Sequence, residues 1–153
     1  MLFCTSGDKI GSFMLKLSGD GKKAKSQWQE PKLDCHHGHV VEINGYLYGS
    51  AHQNSDGWVC LELSSGKVMY ETKAVAKGSA CYADGMLYCY GVDGSVSLVK
   101  PSPKGFELIS SFKVKAGKGE HFAQPVISGG RLYIRHGDAL MVYNISCPSK
   151  TEK

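Results

Sequence analysis

The sequence predicts an all-β fold: a partial β-propeller of about four four-stranded antiparallel blades, the first and last incomplete. Three observations predict it. The stretch Asn44-Gly45-Tyr46-Leu47-Tyr48 recurs as Asp84-Gly85-Met86-Leu87-Tyr88 and as Gly129-Gly130-Arg131-Leu132-Tyr133. It is 40 residues from Gly45 to Gly85 and 45 from Gly85 to Gly130, a period of one blade per motif. Large aromatics recur in phase, with 42 residues from Trp28 to Tyr70 and 42 from Tyr70 to Phe112. One ring per blade is what face-to-face packing of sheets needs to fill the gap between them. Finally, glycine is abundant (19) and proline scarce (5), which suits many short strands joined by tight turns.

Each element follows from local chemistry. Asn-Gly, Asp-Gly and Gly-Gly suit two-residue hairpin turns, whose central positions both need positive φ. Gly45, Gly85 and Gly130 are therefore structural turn residues, and so is Gly66 in Ser64-Ser65-Gly66. Met1-Leu2-Phe3 aligns with Met86-Leu87-Tyr88, so the chain opens in the second strand of a blade. Strands at 12–17 and 22–29 complete that unit. The next blade has strands at 38–43, 46–51, 57–63 and 67–73, the third alternating around Trp58, Cys60 and Glu62 as a sheet with two different faces should. The third blade has strands at 78–83, 86–92, 95–100 and 106–114, and there Pro101-Ser102-Pro103-Lys104-Gly105 replaces the tight turn. The last unit has strands at 123–128, 131–136 and 139–145. The propeller segment is 1–148, with blades at about 1–32, 33–75, 76–119 and 120–147, and 149–153 is a polar tail.

Composition excludes several functions. The formal charge of +4 is modest. Lys22, Lys23 and Lys25, and later Lys113, Lys115 and Lys118, lie beside outer strands without interleaved aromatics, which argues against nucleic acid. Apolar runs are a few residues long, too short to span a membrane. No signal peptide is visible in this chain. The six cysteines (Cys4, Cys35, Cys60, Cys81, Cys89, Cys147) form no CxxC, so a zinc knuckle is not indicated. Most read as small buried hydrophobes. Cys81 and Cys89 flank one hairpin turn and leave a disulfide open. There is no Gly-x-Ser-x-Gly elbow for a serine hydrolase, and Ser18-Gly19-Asp20-Gly21-Lys22 lacks the spacing of a phosphate loop. Asn144-Ile145-Ser146 fits a glycosylation pattern that matters only in a eukaryotic secretory setting.

The stretch Cys60-Leu61-Glu62-Leu63-Ser64-Ser65-Gly66-Lys67-Val68-Met69-Tyr70 resembles the repeat of the pyrroloquinoline-quinone-like (PQQ-like) propellers, Ala-x-Asp-x-x-Thr-Gly-Lys-x-x-Trp. Cys60, Glu62, Ser65, Gly66, Lys67 and Tyr70 stand at its fixed positions. Pro125-Val126-Ile127-Ser128-Gly129-Gly130-Arg131-Leu132-Tyr133 is similar to that family's Pro-Val-x-x-x-Gly-x-Leu-Tyr. The resemblance covers nearly the whole chain. It implies either a non-catalytic scaffold that binds a ligand or a protein, or the C-terminal part of a quinone-dependent alcohol dehydrogenase. It also implies a periplasmic or secreted location. The dehydrogenases set adjacent cysteines against the quinone, and this sequence has no Cys-Cys pair, so the scaffold is the preferred expectation and no catalytic residue is assigned. Quinone with calcium is expected only if the full-length protein is a dehydrogenase.

Alignment on the hairpin glycines places one polar group at the channel mouth: His36, His37, His39, Lys77, Glu120, His121 and Gln124. A small anion, a sugar or a partner protein is the expected ligand there, as propeller mouths are concave and accessible. A metal-dependent enzyme using the three neighbouring histidines is a further alternative, but His37 and His39 should share one strand face with His36 on the other. Asp34 and Asp56 show no supporting pattern. Trp28, Tyr70 and Phe112 are expected to dock one blade on the next. Since the first unit lacks an inner strand and the last an outer one, further upstream blades of the same protein are expected as partners. The isolated piece is expected to self-associate through the faces beside 22–29 and 139–145.

Overall fold

The computed structural model describes residues 1–146. All regular structure there is β. Fourteen strands form four antiparallel sheets of three, four, four and three strands, each in sequence order. Blade 1 holds β1 (Leu2–Ser6), β2 (Gly11–Leu17) and β3 (Ala24–Glu30). Blade 2 holds β4 (Val41–Ile43), β5 (Tyr46–Ser50), β6 (Trp58–Glu62) and β7 (Val68–Thr72). Blade 3 holds β8 (Gly78–Ala83), β9 (Met86–Gly91), β10 (Ser95–Ser102) and β11 (Gly105–Lys113). Blade 4 holds β12 (Val126–Ser128), β13 (Arg131–His136) and β14 (Ala139–Asn144). This is a partial β-propeller.

The repeated hairpins have the backbone their residues demand. Asn44 and Gly45 lie at φ 50° and 83°, Asp84 and Gly85 at 50° and 78°, Gly129 and Gly130 at 55° and 69°. Gly66 is required twice over. Its φ is 74°, and a Cβ there would lie 2.5 Å from the Trp28 ring.

Three apolar clusters weld neighbouring blades. Leu33, Leu47, Val59 and Leu61 meet Phe3 and Trp28 between blades 1 and 2. Trp58, Tyr48 and Leu87 meet Tyr70 and Phe106 between blades 2 and 3. Tyr90, Val96, Leu132 and Ile134 meet Tyr143 between blades 3 and 4. Trp28 donates its indole N–H to Leu63 O at 3.1 Å, Tyr70 sits edge-on to Phe106 at 6.0 Å, and Phe112 tilts against Tyr143 at 4.7 Å. The three aromatics are not equivalent in register. A bulge interrupts the pairing of the last two strands in each of the first three blades, after Met14, Cys60 and Leu98. Trp28 and Tyr70 pair at the bulge, opposite Met14 and Cys60, whereas Ser110 occupies that place in blade 3. Phe112 lies two residues further, opposite Val96, and is 40% exposed.

Three expectations are corrected. The 101–105 stretch does contain a tight turn: Pro101 and Ser102 stay in β10, Ser102 pairs with Gly105, and Pro103-Lys104 turn the chain. The first strands of blades 2 and 4 are three residues long, so residues 36–39 lie in a connection and strand alternation does not order the histidines. Cys81 and Cys89 are both free. Cys89 pairs with Ala80 while Cys81 pairs with Tyr88, and neighbours along a strand face opposite sides, so the two sulfurs point apart. Cys147 and the tail at 149–153 lie outside the described residues.

Candidate functional site

The entries to β4, β8 and β12 and the exits of β5 and β9 meet at one end of the sheets. They enclose a cavity of about 440 Å³ lined by His36, His37, His52, Lys77, His121 and Phe122, with Glu120 as its one carboxylate. A second cavity of about 430 Å³, around Met14, Tyr46 and Leu63, offers no comparable convergence of polar side chains.

The first wall is built by blades 1 and 2. Leu33 O accepts from Thr5 Oγ1 at 3.0 Å and from Ser12 Oγ, and Cys35 N–H donates to Thr5 Oγ1 at 3.0 Å. That stitching presents His36 and His37 to the mouth. Gly7 is needed beneath them, because a Cβ there would come within 2.7 Å of the His36 ring. Asp34 is fully buried and accepts the backbone N–H groups of His52, Gln53 and Asn54 at 2.8 to 3.2 Å. Burial raises its pKa, but those N–H groups outweigh it and hold the carboxyl below its ordinary value. Asp34 thus clamps the loop that carries His52. Sequence reasoning passed over it because its partners are backbone groups, which carry no sequence signature.

Lys77 is placed from three sides. Trp58 Nε1–H donates to Ala76 O at 3.0 Å, Val92 N–H donates to Lys77 O at 2.8 Å, and Gly78 N–H donates to Ser50 Oγ at 3.0 Å. The Lys77 ammonium donates to His52 O at 2.9 Å and forms no ion pair among the described residues. Around it runs a row of rings. Phe122 stacks on His37 at 4.8 Å, His37 meets His36 at 3.9 Å, and His36 meets His52 at 4.6 Å. No ring nitrogen of His36, His37 or His52 has a hydrogen-bond partner among the described residues.

The second wall is the connection 114–125, held by a different device. His136, buried in β13, sets Nδ1 2.8 Å from Ala116 O and Nε2 2.8 Å from Gly119 O. Carbonyl oxygens only accept, so both nitrogens donate and the ring is held as the imidazolium. The Gly119 and Ala116 carbonyls accordingly raise its pKa. His121 stacks on it at 3.7 Å. Desolvation, then the neighbouring His136 charge, lowers the His121 pKa. Burial raises the pKa of the Tyr90 phenol, and its hydroxyl and His121 Nδ1 share a hydrogen bond at 2.5 Å. Gln124 ties the walls together by donating to His37 O at 2.6 Å.

Of the residues singled out by alignment, His36, His37, Lys77, Glu120 and His121 line the cavity, while His39 and Gln124 do not. His52 and Phe122 complete it. His52 was missed because its equivalents after Gly85 and Gly130 are Val92 and Gly137, so the repeat offered no second polar residue at that place to draw attention to it. Among the described residues no three His, Cys, Asp or Glu side chains are arranged to hold a metal ion. Calcium takes about six to eight oxygen ligands, and a mouth of imidazoles, one ammonium and one carboxylate does not fit it.

Among solved structures the chain is similar in fold to BamB from Moraxella catarrhalis, with a TM-score of 0.61 at 14% sequence identity. The match covers 92% of this chain and 45% of that one. It establishes the propeller fold. No protein-family model matches the chain, and no curated protein matches it. Among the described residues no helix is long and apolar enough to cross a membrane.

Proposed function

We propose that this chain is a non-catalytic binding propeller of the PQQ-like repeat type, and that it takes its ligand or partner protein at the channel mouth. One observation carries the reading. The mouth gathers His36, His37 and His52, whose ring nitrogens are unclaimed among the described residues, an ammonium without an ion pair there and a phenyl ring around a cavity, and among the described residues no side chain at the mouth is hydrogen-bonded as base to a nucleophile. Such a set binds; it is not organised to break bonds. The repeat Glu62-x-x-Ser65-Gly66-Lys67-x-x-Tyr70 supports the family, and the likeness to BamB supports the architecture. Since that match spans 45% of BamB, further blades of the same protein are proposed to complete the ring, docking on the exposed face of blade 4 that carries Leu140 and Val142. The family resemblance carries a periplasmic or secreted location as part of the same proposal.

The test is direct. The protein is supplied with pyrroloquinoline quinone and calcium, and dye reduction is followed with short alcohols. No turnover is expected, and turnover that is lost in a His37→Ala variant would overturn the reading in favour of a dehydrogenase.

A further inference from the structure

We propose that the channel mouth is a carboxylate site: it holds a carboxylate on a short apolar stem between the Lys77 ammonium and the row His52, His36, His37, with Phe122 against the stem. The inference rests on the mouth being the ligand site, as proposed above, and adds the chemistry of what enters it.

The reasoning begins with donors left over. An ammonium has three N–H groups and an imidazole has at least one in either protonation state. One Lys77 N–H goes to His52 O; the others, and the ring N–H groups of His36, His37 and His52, have no partner among the described residues. Lys77 is only partly exposed, and a charge withdrawn from water is costly unless an opposite charge meets it. Within the cavity the one negative group is Glu120, which is exposed and makes no ion pair with Lys77. Outside the cavity lining, Asp56 feels the Lys77 charge but is paired with Lys73 at 3.0 Å, so the mouth has donors in excess and an ammonium without an ion-pair partner among the described residues, which favours an anion.

The remaining lining narrows the anion. Ala51, Val92 and Phe122 supply apolar surface beside the donors. A fully hydrated oxyanion such as phosphate would leave that surface uncovered. A carboxylate on two or three methylenes satisfies both, as in a glutamate side chain or a small free diacid. Of the histidines on the other wall, His136 spends both nitrogens on carbonyls, while His121 spends Nδ1 on Tyr90 and keeps Nε2 as one further ring nitrogen at the edge of the cavity.

The experiment uses the 153-residue chain and follows the imidazole ring signals of His36, His37 and His52 by NMR. Four probes are titrated: glutarate, the capped peptide acetyl-(Glu)4-amide, its neutral analogue acetyl-(Gln)4-amide, and inorganic phosphate. Glutarate or the glutamate peptide should shift those rings, and which of the two binds more tightly separates a free acid from a peptide as the source. Lys77→Met, which keeps the stem and drops the charge, should weaken binding about tenfold, and Lys77→Arg should restore most of it. Thermal unfolding of both variants confirms that the mouth is intact. Equal binding of the glutamine peptide, or phosphate binding as tight as glutarate, with Lys77→Met indifferent, overturns the carboxylate site while leaving the mouth as a binding site. Acidic probes that bind but leave the three rings unmoved overturn the site and the mouth reading together. No binding by any probe overturns the carboxylate site alone.

Discussion

The two walls of the mouth are held by different chemistry. On the blade 1–2 side, Asp34 and Trp58 are fully buried. One is a carboxylate accepting three backbone N–H groups, the other an indole donating to Ala76 O. Neither changes charge near neutral pH. On the blade 4 side, His136 holds the connection 114–125 as a cation between two carbonyls, and histidine is the side chain that changes charge near neutrality. The contrast teaches that one wall is fixed under all ordinary conditions, while the other is conditional on a proton.

The largest expected effect breaks the fixed wall. Trp58→Ala should lower stability by about 3–5 kcal/mol, the cost of emptying a large buried site. Urea denaturation followed by circular dichroism measures it. Because Trp58 also holds Ala76, the Lys77 amide signal should move in any folded fraction. A loss under about 1 kcal/mol would mean that the blade 2–3 interface does not depend on this ring.

Asp34→Asn should come next, at about 1–3 kcal/mol, because an amide replaces one accepting oxygen with a donor that faces N–H groups. The sign with pH is fixed by the depressed pKa of Asp34. Its contribution is present above the unfolded value of about 3.9 and is lost as pH falls through the lower folded value. Acid denaturation of the wild type and the variant should therefore converge at the acid end. Curves that stay parallel would remove Asp34 as the clamp.

The smallest effect concerns the conditional wall. The raised pKa of His136 makes its contribution complete below the unfolded value of about 6.5, and that contribution is lost as pH rises through the folded value. His121 has the opposite sign. Its lowered pKa makes its contribution present above about 6.5 and lost as pH falls through the folded value. The two windows lie on opposite sides of about 6.5, so their summed contribution should be greatest near that pH and decline in both directions. Nitrogen-15 spectra at pH 6 should show both His136 ring nitrogens protonated. Signals from 116–124 should broaden toward pH 8.5, and those from 52–54 should not. A neutral His136 tautomer at pH 6 would erase the distinction between the walls.

Much of the fold was legible in the sequence because it rests on short-range rules. Asn44-Gly45, Asp84-Gly85 and Gly129-Gly130 need positive φ, and alternation around Trp58 needs two unlike sheet faces. Those rules act within a few residues, so the three, four, four and three strands could be counted. Part of the mouth was legible too. A repeat puts equivalent positions at one end of every blade, and that brought His36, His37, Lys77, Glu120 and His121 to one place. The tertiary structure decided the rest. The bulges after Met14, Cys60 and Leu98 shift register between strands, so equal spacing along the chain put Trp28 and Tyr70 at one place and Phe112 at another. Asp34 holds backbone N–H groups about 20 residues away, and His136 holds carbonyls of a connection that follows no strand pattern. His52 reaches the row of rings only because Asp34 clamps its loop. Which imidazoles are spent and which remain free depends on partners distant in sequence, and backbone atoms, the same at every residue, leave no mark of that choice in the order of side chains.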